Sequence, residues 1–154
     1  MNSLKLPEGF ESLGENAEFV FLSTINKEGF PETRAMLNLR NTKMFPGLKQ
    51  YFSGNLISFF TTNTSSKKVT HIFRDNKASV YYVNGKTFEG LLLTGTVEIV
   101  KDSALKKDLW QENWTMYYSK DVDDPDYALL KFVPSQYKYY NGNFEVSSGS
   151  LKQI

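Results

Sequence analysis

Asn84-Gly85 sits between two stretches of strand-like sequence, and no other pair restricts the fold of this chain as much. Across residues 77–83, Ala78, Val80 and Tyr82 alternate with Ser79, Tyr81 and Val83, the pattern of a strand with one buried face. An Asn-Gly pair accepts the positive φ angles of a tight hairpin turn, so the chain is expected to double back there. The returning strand, residues 87–100, is long, and Gly90 and Gly95 mark places where it bends, bulges or lets another backbone approach. A long bent strand is what a small barrel uses to turn a corner.

The rest of the chain repeats the theme. Leu6, Phe10 and Leu13, with Pro7 near the start, predict a short helix over residues 4–14 within an N-terminal helical segment 1–16. Residues 18–25 and 32–38, separated by Asn26-Lys27-Glu28-Gly29, read as a second hairpin. Pro46 and Gly47 make residues 39–54 a connector with one or two helical turns. Residues 55–62 form a strand, and Asp102 or Ser103 caps a helix running to about Tyr118, with Leu105, Leu109, Trp110 and Trp114 on its apolar side. Residues 128–133 and 136–140 are the last two strands, split by Pro134-Ser135, and 143–154 is a loose polar tail. Some seven short strands in hairpins, without a βαβ rhythm, favour a mostly β single domain, a small barrel flanked by helices.

Composition narrows the function. The 12 Phe, 9 Tyr and 2 Trp argue for a packed sheet-rich domain or a large apolar interface. With 18 basic against 17 acidic residues and no basic run, there is no electrostatic case for nucleic acid or an anionic membrane. No apolar stretch approaches the roughly 18 residues of a membrane span, and no signal peptide is evident, so a cytoplasmic protein is expected. The absence of cysteine excludes disulfides and thiolate chemistry. His71 is the single histidine and reads as structural or surface. The acidic run 121–126 lacks the glycine and terminal glutamate of an EF-hand and reads as a solvated turn.

One segment carries a candidate site. The strand ending at Thr61-Thr62 passes through the hydroxyl-rich turn Asn63-Thr64-Ser65-Ser66 into a helical pattern with Val69, Ile72 and Phe73. Ser65 or Ser66 can cap that helix. The open N–H groups of its first turn, with Lys67 and Lys68, suit a phosphate monoester; the alternative is an ordinary capped surface helix. Neither a Rossmann glycine motif nor a P-loop occurs, and no nucleophile is evident, so any chemistry comes from a bound cofactor.

The strings Phe21-Leu22-Ser23-Thr24, Arg34-Ala35-Met36-Leu37, residues 59–68, Leu93-Thr94-Gly95-Thr96-Val97-Glu98, Leu109-Trp110 and Asp123-Asp124-Pro125-Asp126, in this order, resemble the pyridoxamine 5'-phosphate oxidase-like flavoproteins, within them the general stress protein 26 branch. The resemblance implies an antiparallel, Greek-key-like split β-barrel of six to seven strands. It also implies a homodimer with FMN at the subunit interface. It assigns Arg34 to the phosphate, Ala35 to the same cofactor-binding strand, Met36 and Leu37 to the space beneath the flavin, Thr61 and Thr62 to the isoalloxazine and phosphate, and Ser66, Lys67 and Lys68 to the phosphate turn.

Departures from the pattern qualify the activity. Leu39 replaces a lysine that binds vitamin phosphate in true pyridoxamine phosphate oxidases, and no histidine follows His71 to form their late arginine-x-histidine pair. Gly90 stands where some relatives place a glutamine that reaches the partner's flavin. The expectation is an FMN-dependent oxidoreductase of another substrate. Its rival is a non-catalytic stress-related protein carrying flavin, haem or deazaflavin on the same barrel.

Overall fold

The computed structural model describes residues 9–143 and 145–151. Its strands are β1 (Phe19–Ile25), β2 (Pro31–Leu37), β3 (Ser58–Asn63), β4 (Lys77–Val83), β5 (Gly90–Ile99), β6 (Tyr127–Tyr140) and β7 (Val146–Ser150), and its helices α1 (Phe10–Asn16), α2 (Lys67–Arg74) and α3 (Ser103–Leu109). All strand pairs are antiparallel, in the order β2-β1-β4-β5-β6-β3, with β7 added to β6. The sheet curls until β2 and β3, the ends of this path, come into contact. This is the split β-barrel expected from the sequence. No helix among the described residues is long and apolar enough to cross a membrane.

Alternation builds the interior. Val20 and Leu22 of β1, Val80 and Tyr82 of β4, Leu91 and Leu93 of β5, and Leu130 and Phe132 of β6 turn inward and are buried together. Burying a side chain of this size stabilises by about 1.5–3 kcal/mol, so this layer is the main driving force. A second cluster joins Leu39, Phe45, Leu48 and Phe52 of the connector to Phe59, Tyr127 and Leu129 of β3 and β6, with Leu109, Trp114 and Tyr118. Both β3 and β6 therefore carry apolar side chains on two faces.

Several local expectations need correction. The Asn84-Gly85 hairpin is wider than a two-residue turn: Asn84 N–H donates to Glu89 O at 2.8 Å, Phe88 takes a φ of 60°, and β5 starts at Gly90, not residue 87. The helix expected to reach Tyr118 stops at Leu109, where Trp110 is extended at ψ 140°, and a 3-10 turn, Glu112–Met116, follows. Asn, Trp and Thr are indifferent helix formers, and the break lets Trp110 meet Trp114 edge to face at 5.8 Å and Tyr127 at 5.1 Å. The two last strands are one, β6, because the Pro134-Ser135 region is absorbed as a register shift opposite Thr94 and Gly95. At Gly95 an added Cβ would meet the Val133 carbonyl and lie 2.7 Å from Pro134 Cα, so only glycine fits that crossing.

The tail is not loose over residues 146–150. These pair with β6 as an exposed edge strand, and Leu151, buried behind it, donates its N–H to Ser135 O at 2.7 Å. At the other end Gly9, at φ 88°, precedes α1, which buries Phe10 and Leu13; Leu4, Leu6 and Pro7 lie outside the described residues.

Candidate functional site

Arg34 shares the inward face of β2 with Met36, because Leu22 and Val20 are their partners on β1. The barrel closes over Met36, whereas Arg34, two pairs further toward the hairpin, remains half-buried. Its Nη1 donates to Thr24 Oγ1 at 2.7 Å and to Leu22 O at 3.4 Å. Lys68 comes from the first turn of α2, and its Nζ donates to Thr62 Oγ1 and to Ser66 Oγ, both at 2.8 Å. Ser66 is the N-cap residue of α2, but its hydroxyl serves Lys68 and caps no N–H.

Two cations thus stand near one another on hydroxyl and carbonyl supports. Burial, then the Arg34 charge, holds the Lys68 ammonium below its ordinary value. Burial likewise lowers Arg34, with nearby Glu32 opposing. Neither is in an ion pair with a carboxylate among the described residues. Val69 N–H is taken by Ser66 O, while those of Lys67 and Lys68 have no backbone partner among the described residues. Half-buried positive charge beside open N–H donors suits an oxyanion.

Of the residues expected here, Arg34, Thr62, Ser66 and Lys68 come together. Thr61 does not, since alternation turns it to the other face of β3, beside Tyr118, whose hydroxyl burial pushes up to about 12 against the opposing Thr61 hydrogen bond. Lys67 is exposed at the first residue of α2, and Ala35 is exposed on the outer face of β2. Met36 lies in the barrel core and Leu37 packs against the second cluster, so the two do not form one floor.

Thr24 and Glu32 were missed, while His71 is buried, in keeping with its reading as structural. Thr24 supports Arg34 and meets His71 Nδ1 at 2.9 Å, and Glu32 lies 3.5 Å from His71 Nε2. Thr24 Oγ1 accepts from Arg34 Nη1 and also meets the His71 ring, so guanidinium, hydroxyl and imidazole form one chain of contacts that ends at Glu32. A lone histidine next to Ile72 gave no hint of this link, which depends on α2 crossing β1. Gly90 also has a structural reason: a Cβ there would meet the Tyr81 hydroxyl and lie 2.7 Å from its Cζ, so the Tyr81 phenol covers that position.

This chain belongs to the pyridoxamine 5'-phosphate oxidase-like family, whose model matches residues 19–152. Within it, a structure from Clostridium acetobutylicum, of a protein related to general stress protein 26 of B. subtilis (pyridoxinephosphate oxidase family), is 30% identical, covers 95% of this chain and 97% of its own, and has a TM-score of 0.76. General Stress Protein 26 from Bacillus anthracis str. Sterne is 18% identical over 93% of this chain and 99% of its own, TM-score 0.68. A heme binding protein from Mycobacterium smegmatis is 16% identical over 96% and 60%, TM-score 0.67; these last two likenesses concern the fold alone. No curated protein matches.

Proposed function

We propose that this chain is an FMN-binding flavoprotein, an oxidoreductase acting as a homodimer with its cofactor at the subunit interface. The observation that carries the reading is the pairing of Arg34 with Lys68, two partly desolvated cations with no carboxylate in an ion pair with either among the described residues. A dianionic phosphate relieves their repulsion, and charge-assisted hydrogen bonds are the stronger class. Arg34 and Lys68 hold the phosphate charge, the Lys67 and Lys68 N–H groups donate to it, and Thr24, Thr62 and Ser66 fix the two cations in place. When bound, FMN supplies the electron and hydride transfer that no side chain here provides.

Pyridoxamine phosphate is not the expected substrate. Leu39 is buried in the second cluster, where it offers nothing to an anion, and His71 is engaged on both ring nitrogens. The same engagement weighs against the haem-carrying alternative, since His71, 7% exposed, is not presented as an axial ligand. FMN-loaded protein should oxidise pyridoxamine phosphate far below about 1 per second.

The deciding experiment is a visible spectrum of freshly purified protein, followed by thermal unfolding with FMN and with riboflavin. Flavin absorption and a larger stabilisation by FMN are expected. Equal shifts from the two flavins would remove the phosphate site.

A further inference from the structure

We propose that Asp126 is a positioning residue for this anion site: its carboxylate, from the loop before β6, holds the turn that presents Ser66, Lys67 and Lys68. The proposal rests on the phosphate reading above. It starts from the weakness of the turn by itself. Residues 63–66 make one backbone hydrogen bond among themselves, Ser66 N–H to Asn63 O at 3.0 Å, and α2 has no side-chain cap.

What holds the turn comes from far along the chain. Asp126 Oδ1 accepts from Ser65 N–H at 3.0 Å, and Oδ2 accepts from Asn63 Nδ2 at 2.5 Å. Its carbonyl accepts from Thr64 N–H at 2.8 Å, and the Pro125 carbonyl from Thr64 Oγ1 at 3.0 Å. Every residue from Asn63 to Ser65 is thereby tied to one dipeptide. Asp124 plays a separate part, accepting from Lys120 N–H at 3.0 Å and Asp126 N–H at 2.9 Å and so folding its own loop. The run read as a solvated acidic turn is thus divided between a carboxylate that shapes the loop and one that reaches the site.

Asp126 therefore acts on the phosphate without touching it. It draws the Ser65 N–H away from the helix mouth, and the next donors along the chain, those of Lys67 and Lys68, are left to face a ligand beside Lys68 Nζ. Without the clamp the turn gains conformers, and a ligand must order it on binding. The loss should fall on the phosphate half of FMN.

The test is titration of the full-length protein with FMN and riboflavin, for the parent, Asp126→Ala, Asp126→Asn and Asn63→Ala. Asp126→Ala should weaken FMN about tenfold or more, with riboflavin changed less than threefold. Asp126→Asn, which keeps an acceptor for Ser65 N–H, should recover part of the loss, and Asn63→Ala, which removes one tie and no charge, should fall between. Unchanged FMN affinity in Asp126→Ala overturns the proposal, as does an equal loss for both flavins. If Asp126→Ala does not fold, Asn63→Ala decides on the same two criteria. A parent that binds the two flavins equally would instead remove the phosphate site, a failure separate from that of the clamp.

Discussion

Replacing Lys68 by Met should move the apo-protein and the complex differently. The apolar stem is kept, while the charge and two hydrogen bonds, to Thr62 and Ser66, are lost. Bonds from an ionised donor contribute about 1.5–3 kcal/mol each when fully buried and less at this half-exposed position, and their loss is offset by removing a partly desolvated charge that Arg34 repels. The apo melting temperature should stay within about 2 °C of the parent. FMN binding loses a charge-assisted bond worth about 1.5–3 kcal/mol, roughly ten- to a hundredfold in affinity. At an FMN concentration about 100 times the parent's dissociation constant, the parent gains about 2.7 kcal/mol and a variant bound thirtyfold more weakly about 0.9 kcal/mol. At about 2–4 °C per kcal/mol, the FMN-induced shift falls from roughly 5–11 °C to about 2–4 °C. Scanning fluorimetry with FMN, riboflavin and buffer reads all of these. A variant destabilised equally with and without FMN, or shifted by FMN as far as the parent, would refute the reasoning.

Gly90→Ala should displace the end of the partly exposed Tyr81 side chain at a cost of about 1 kcal/mol or less, and Tyr81→Ala in the same chain should remove it in a denaturant double-mutant cycle. Trp114→Ala should cost about 3–5 kcal/mol in urea unfolding, since Trp114 is 2% exposed and joins the connector to β3 and β6. Backbone hydrogen bonds from Asp126 and Lys120 hold the Asp124 carboxyl below its usual range, and Asn63 and Ser65 hold Asp126 there. Their stabilising contribution is complete above the unfolded value near 3.8 and is lost as pH falls through the lowered ones, so an acid titration of the melting temperature should fall off below about pH 4 and be shallower in Asp126→Asn. Light scattering at micromolar concentration should give a dimer; a monomer would remove the interfacial part of the functional reading.

The elements that the sequence disclosed are those whose information is local. β1, β2 and β4 lie close to their expected bounds because alternation and a turn signal coincide there. β6 read as two strands because Pro134 stops a local reading, while the partner that absorbs the shift, Gly95, is far along the chain. β7 escaped notice because small polar residues suit an exposed edge strand as well as a loop. At the candidate site, Arg34, Thr62, Ser66 and Lys68, grouped by residue type and resemblance, stand together. The side chains of Thr61 and Lys67 were grouped with them and lie apart, because a shared string does not say which face a side chain takes. Thr24, Glu32 and Asp126 were illegible for the opposite reason, since each gains its role only from a partner at least ten positions away.

The sheet order has a consequence for time as well as for shape. Asn63 and Asp126 are 63 positions apart, and pairing β3 with β6 closes the long loop between them. Chains dominated by such distant pairings fold in milliseconds to seconds, slowed by the entropy of closing long loops. The cationic site draws on β1, β2, β3 and α2, and its turn is tied down only when β6 arrives. A phosphate ligand therefore has little to hold until the folding barrier is nearly crossed. If the chain binds FMN as proposed, saturating FMN should leave the refolding rate almost unchanged and slow unfolding by nearly its whole stabilisation, lengthening the life of a folded molecule without hastening its formation.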